Sequence, residues 1–220
     1  MFKQIILLSA FFLILNATYD GIDVSVWQGA NVDFKKVKKA GKDFVIIRAG
    51  YGHGSVDKYF ETNYKKAKEA GLNVGAYWYA KALDVDQSTK EAKLFMKTIK
   101  GKKFEYPLYY DVEDKHIFKK GKEMTSKIAD NFCKILEKNN YYCGIYASTA
   151  YLQDYFTSEV LKKYTIWVAQ YYKTCTFKGK YQIWQKSSKG KVAGISGNVD
   201  LDISYEDFPS VIKSKKLNGY

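Results

Sequence analysis

Two acids stand two residues apart, Asp111 and Glu113, at the end of the apolar aromatic run Pro107-Leu108-Tyr109-Tyr110. Read as the end of a strand, the run puts both carboxyl groups on one face, with Val112 opposite and the two Cα atoms roughly 6.6 Å apart. Neighbouring carboxylates repel, so each raises the cost of ionising the other. Such a pair divides labour: one stays ionised, while the other keeps a proton near neutral pH and serves as a general acid. That is the equipment of a glycosidase. Alone, an Asp-x-Glu is a weak signal, equally at home where an ordinary strand runs into a polar loop.

The elements around the pair strengthen it. Residues 19–27 read as a first strand with Asp23 in its interior. Residues 33–40 read as a short helix capped by Asp33, and 44–49 as an apolar strand buried on both faces. Further helices are expected over 57–70, 86–99 (capped by Asp86 or Ser88), 125–138 and 151–163. Further strands are expected over 72–79, 108–112, 142–147 and 166–169. After residue 169 the helical pattern gives out. Residues 181–185 and 198–202 read as two closing strands.

Strands alternating with helices imply a parallel sheet. Eight strands in one domain imply closure as an α/β, TIM-like β/α barrel, irregular because its last connections are poorly helical. An open doubly wound sheet would want a tighter glycine fingerprint than Gly50-x-Gly52-x-Gly54. In a barrel the chemistry sits at the C-terminal ends of the strands. There Asp23, Arg48, Tyr77, Trp78, Tyr79, Asp111, Glu113, Tyr146, Gln170, Gln185 and Asp200 should converge. Several carboxylates on one mouth are hard to explain as packing. Tyr77, Trp78, Tyr79, Tyr146 and Trp184 are candidates to stack on sugar faces, and Arg48 to tune an acid.

Bulk properties narrow the classes. The chain has 220 residues, enough for one domain with a full core. Its net charge of +13 favours anionic partners such as a bacterial cell-wall surface. No Lys/Arg cluster interleaves with aromatics, so nucleic acid is not expected. Lys3 followed by an apolar run over residues 5–15 reads as a signal peptide ending near Ala17, too short to span a bilayer well. The mature domain, residues 18–220, is then secreted or lumenal, without stable membrane insertion, and monomeric. In an oxidising compartment two of Cys133, Cys143 and Cys175 can bridge; the first two flank the Asn139-Asn140 turn and are favoured. His53 and His116 lack ligand spacing, so neither metal nor cofactor is expected.

The motifs Gly21-Ile22-Asp23-Val24-Ser25, Asp111-Val112-Glu113 and Val199-Asp200-Leu201-Asp202 occur in order, together with the strands at 45–48 and 75–77. With them, residues 19–208 resemble glycoside hydrolase family 25, the CH-type lysozymes. The resemblance implies an irregular β/α barrel and cleavage of the β-1,4 bond between N-acetylmuramic acid and N-acetylglucosamine in bacterial peptidoglycan, with retention. It implies Glu113 as general acid, Asp111 assisting the substrate acetamido group, and Asp23 with a late aspartate completing the acidic floor. Members often carry Asp-x-Asn at the last motif. Here a second acid follows, and Asp200 rather than Asp202 is matched to the site. A chitinase would show a longer ladder of acids where Leu108, Tyr109 and Tyr110 stand. A non-catalytic wall-binding barrel would be expected to have lost an acid.

Overall fold

The computed structural model describes residues 17–220. The leader expected over residues 1–17 lies outside them, Ala17 apart. The chain order is β1 (Tyr19–Val24), α1 (Phe34–Lys39), β2 (Phe44–Tyr51), β3 (Ser55–Val56), α2 (Phe60–Glu69), β4 (Asn73–Tyr79) and α3 (Val85–Ile99). Then come β5 (Leu108–Asp111), α4 (Lys115–Phe118), α5 (Lys122–Glu137), β6 (Cys143–Ser148), α6 (Thr149–Tyr155), α7 (Ser158–Lys163), β7 (Thr165–Ala169), β8 (Ile183–Gly190), β9 (Val199–Ser204) and α8 (Phe208–Ser214).

Strands β1, β2, β4, β5, β6, β7 and β8 pair in parallel, each with the next. The ring is then closed by β9, antiparallel to both β8 and β1. β3 is a two-residue hairpin arm on β2. The result is an irregular eight-stranded barrel. No helix intervenes between β7 and β8 or between β8 and β9, as the loss of helical pattern after residue 169 foretells. Two sequence expectations need correction. The cap of α3 is Asp84, which accepts from the Gln87 N–H at 2.8 Å. Ser88 is instead buried and donates to the Ile128 carbonyl. The helix expected over 151–163 is two helices, α6 and α7, broken at Phe156-Thr157.

Alternation along the strands makes two apolar layers. Ile22, Val24, Val45, Ile47, Val74, Trp78, Tyr110, Val112, Ile145 and Trp184 face the helices. Phe44, Ile46, Tyr77, Tyr109, Tyr146, Trp167 and Ile183 fill the barrel. Trp167 stands at its centre, with ring centroids of Tyr146 and Tyr109 at 4.5 and 5.2 Å. Gly21 is glycine for room: a Cβ there would lie 2.2 Å from the Phe44 ring.

The end of the barrel away from the strand C-termini is plugged by α8, whose Phe208 and Ile212 pack among Phe44, Tyr106 and Tyr142. Asn218, buried just beyond α8, makes four bonds there. It donates through its backbone N–H to Asn140 and through Nδ2 to the Tyr106 carbonyl. It accepts from the N–H groups of Phe104 and Tyr142. Cys133 on α5 and Cys143 on β6 are buried thiols with Sγ atoms 2.9 Å apart, while Cys175 lies apart from them and is partly exposed.

Candidate active site

β5 carries its aromatics to both layers and then delivers Asp111, inward and buried, to the barrel mouth. The strand ends there, so Glu113 stands two residues beyond it at the exposed rim. From the opposite wall, β1 supplies Asp23 and β9 supplies Asp200 directly across from it. Two residues deeper on β9, Asp202 lies opposite Gly21 and is fully buried. The structure thus brings together all four acids named from the sequence and adds Asp202 beneath them.

The five carboxyl groups form two tiers. Glu113 and Asp200 make the upper one. Surrounding protein, then the charge of Asp200 and of Asp114, raises the Glu113 carboxyl above its ordinary range, although solvent reaches it along the rim. Partial burial lifts Asp200 to about 6. Asp111, Asp23 and Asp202 make the lower tier. Burial, then Glu113, pushes Asp111 well up, and the Arg48 charge opposes this. Burial, then the charges of Asp202 and Asp200, pushes Asp23 well up against the hydrogen bond from Gln185. Burial lifts Asp202 to about 8, opposed by the Trp167 hydrogen bond. One Asp111 oxygen, Oδ1, and one Asp202 oxygen, Oδ2, are buried without a partner among the described residues.

Polar side chains fix this arrangement. The Gln185 amide ties three side chains of the mouth together. Its Oε1 accepts from the hydroxyls of Tyr146 at 2.9 Å and Tyr171 at 2.8 Å, and its Nε2 donates to Asp23 at 2.7 Å. Trp167 Nε1 donates to Asp202 at 2.9 Å. Arg48 donates through Nε to Asp57 at 2.8 Å, and Asp57 also accepts from the N–H groups of Val26 and Tyr59.

The aromatics expected at the mouth divide. Tyr77 and Tyr146 line the barrel beneath the acids, and Tyr79 stands on the wall of the mouth near Asp111 and Glu113. Trp78 and Trp184 do not face the cleft. Trp78 is fully buried against Phe95 and donates to the Gly52 carbonyl. Trp184 lies in the same outer layer and donates to the Gln170 carbonyl. Each sits one residue out of step with an inward neighbour, and strand alternation carries it to the outer face. Three aromatics missed in the sequence do bear on the site. Trp27 on the β1–α1 turn is 83% exposed. Tyr171, just past β7, reaches Gln185 from the rim. Trp167 reads in sequence as an ordinary strand residue. The adjacent pair Tyr171-Tyr172 after a strand end was the available signal for the rim position.

Two cavities flank the acids. One, of about 360 Å³, is walled by Trp27, Arg48, Tyr51, Lys58, Tyr79 and Lys81. The other, of about 570 Å³, is walled by Glu113, Tyr146, Thr149, Gln153, Tyr171 and Thr176 among others. Glu113 lines the larger cavity, and Arg48 and Tyr79, whose neighbours include Asp111, line the smaller.

Residues 22–195 match the family model of glycosyl hydrolases family 25. The chain belongs to that family. It is a glycoside hydrolase. The autolytic lysozyme of Clostridium acetobutylicum is 33% identical to it over 183 residues, covering 83% of this chain and 54% of that protein. Among solved structures, the CTP1L endolysin superposes with a TM-score of 0.80 at 29% identity, over 89% of this chain and 70% of that one. The modular autolysin LytC of Streptococcus pneumoniae, solved with a synthetic peptidoglycan ligand, gives 0.78 at 28% identity, over 84% and 46%. Among the described residues of this family 25 chain, no helix is long and apolar enough to cross a membrane.

Proposed function

We infer that this family 25 hydrolase is a lysozyme that cuts the β-1,4 bond between N-acetylmuramic acid and N-acetylglucosamine in bacterial peptidoglycan. The observation that carries the mechanism is the unequal pair at the end of β5. Glu113 is at the rim where a glycosidic oxygen can reach it, and Asp111 is buried behind it with Oδ1 unpartnered. Glu113, its carboxyl raised, protonates the leaving oxygen as the bond to C1 breaks. The acetamido carbonyl oxygen of the muramic acid closes on C1 from the opposite face, giving a cyclic oxazolinium and retaining the configuration over two steps. Asp111 accepts the acetamido N–H through Oδ1 and is drawn toward ionisation as positive charge grows there. Glu113, now a carboxylate, takes a proton from the water that opens the ring.

The relatives named for autolysis and for a peptidoglycan complex support this substrate. The basic charge of +13 suits an anionic wall, and the apolar start of the chain suits a secreted or lumenal monomer that sheds its leader. The test is Glu113→Gln on purified peptidoglycan, with turbidity and product masses as readouts. It should lower the rate about 10²- to 10⁴-fold without loss of fold. Near-parental lysis by a folded variant would remove Glu113 from the role of acid. Products ending in reducing N-acetylglucosamine would reject the assignment of the bond.

A further inference from the structure

The two cavities beside the acids differ in charge. The smaller one brings together three cations, Arg48, Lys58 and Lys81, against one acid, Asp57. Asp57 is spent within the protein: it is buried, paired with Arg48, and bonded to two backbone N–H groups. Lys58 and Lys81 have no carboxylate within ion-pair distance among the described residues. They lie instead near aromatic faces, Lys58 Nζ 5.1 Å from the Tyr59 ring centre and Lys81 Nζ 6.0 Å from that of Tyr51. The larger cavity has no cation among its lining residues; apart from Glu113 it offers hydroxyls, amides and the rings of Tyr171 and Tyr172.

We propose that the smaller cavity is an anion-reading subsite, in which Lys58 and Lys81 take the carboxylates of the branch on C3 of the muramic acid: those of the peptide stem or, where no stem is attached, that of the lactyl group. This rests on the lysozyme reading of the site. The geometry follows from the sugar. The C3 substituent is the ring neighbour of the C2 acetamido group. If Asp111 holds the acetamido group, the C3 substituent leaves the ring next to it. Arg48 is the residue whose charge acts on Asp111, and it lines the smaller cavity. The acidic branch therefore enters the cationic side, where Trp27, Tyr51 and Tyr79 wall it, while a neutral N-acetylglucosamine takes the hydroxyl-lined side. A neutral polymer of N-acetylglucosamine alone gains nothing from the two lysines. The subsite thereby sets both direction and substrate class.

The experiment compares two soluble muropeptide glycans, one with free stem-peptide carboxylates and one with those carboxylates amidated, on the parent and on Lys58→Gln/Lys81→Gln. Both lysines are exposed, so the fold should survive, and thermal melting checks it. For the parent, KM for the amidated glycan should be about 3- to 10-fold above that for the free acid, the worth of two exposed ion pairs, with similar kcat. That preference should shrink as salt is added. In the double variant the ratio should fall to about one, because KM for the free acid rises. Lys58→Gln/Lys81→Glu should push the ratio below one. Equal KM values in the parent, or a ratio that survives in the folded double variant, overturn the subsite while leaving the lysozyme reading in place. A parent that cleaves neither glycan overturns that reading and the subsite with it.

Discussion

The upper and lower tiers of acids use the same chemical group for different ends. Glu113 and Asp200 are open to the groove, and protons can enter and leave them with each turnover. Asp23, Asp111 and Asp202 are buried at 5%, 5% and 0% exposure and exchange protons with bulk water only through the site itself. Burial is the first cause of the raised pKa in both tiers. The upper tier is equipped to move protons. The lower tier is equipped to hold position, and its members are neutral more easily than charged.

If that contrast holds, exchanging carboxyl for amide should cost the most rate at Glu113 and the least at the deepest acid, Asp202. The largest effect should fall on Glu113, as stated above. Asp111→Asn should come next, with kcat lowered about 10²-fold on peptidoglycan because an amide oxygen cannot neutralise the oxazolinium. Asp200→Asn instead removes the first charge that acts on Glu113, so the high-pH limb of the rate profile should move to lower pH. A limb that stays in place would mean that burial alone raises the Glu113 carboxyl. Gln185→Glu should be a smaller lesion with a sharp pH signature. Protonated, the new carboxyl can still donate to Asp23; ionised, it repels it. Activity should approach the parent at acid pH and fall about tenfold near neutral pH, measured as kcat across pH. A pH-independent loss would make Gln185 mere packing.

The smallest effect on rate should be that of Asp202→Asn, but this change sharpens the contrast through stability. Asp202 titrates near 3.8 in the unfolded chain and at about 8 in the fold. The folded state therefore holds a proton that the unfolded state has lost between those values. Stability contributed by the protonated group is full below pH 3.8 and lost as pH rises through about 8. The parent Tm should slope downward over that window, and Asp202→Asn should flatten the slope and raise Tm at pH 7. An unchanged slope would mean that Asp202 is charged in the fold.

Much of this site was legible because it depends on strand ends. Alternation and the run of apolar strands place Asp23, Asp111 and Asp200 on inward positions without any knowledge of packing. The helix-poor closing segment was visible in the absence of helical periodicity after residue 169. Alternation was also the rule ignored where the reading failed: Trp78 and Trp184 have inward neighbours on both sides and had to face the helices. What strand patterns do not carry is depth along the barrel. Asp200 and Asp202 are both inward on one strand, and only the closed register of β9 against β1 sets one at the rim and the other beside Gly21. The rim residues Trp27 and Tyr171 sit on turns, where periodicity says nothing. Helix α8 was missed because seven residues are too few to show an amphipathic repeat.

The stitching of Asn218 to Phe104, Tyr106, Asn140 and Tyr142 ties a late stretch of the chain to segments made much earlier. The first strand finds its second partner only in β9, some 180 residues later, and the far end of the barrel is sealed by residues still later in the chain. A growing chain can assemble β2 to β7 with their helices early, because those contacts are sequential. It does so with the strand that carries Asp23 paired on one side only. The acidic floor then forms as one of the late events of folding, once β9 has paired with β1.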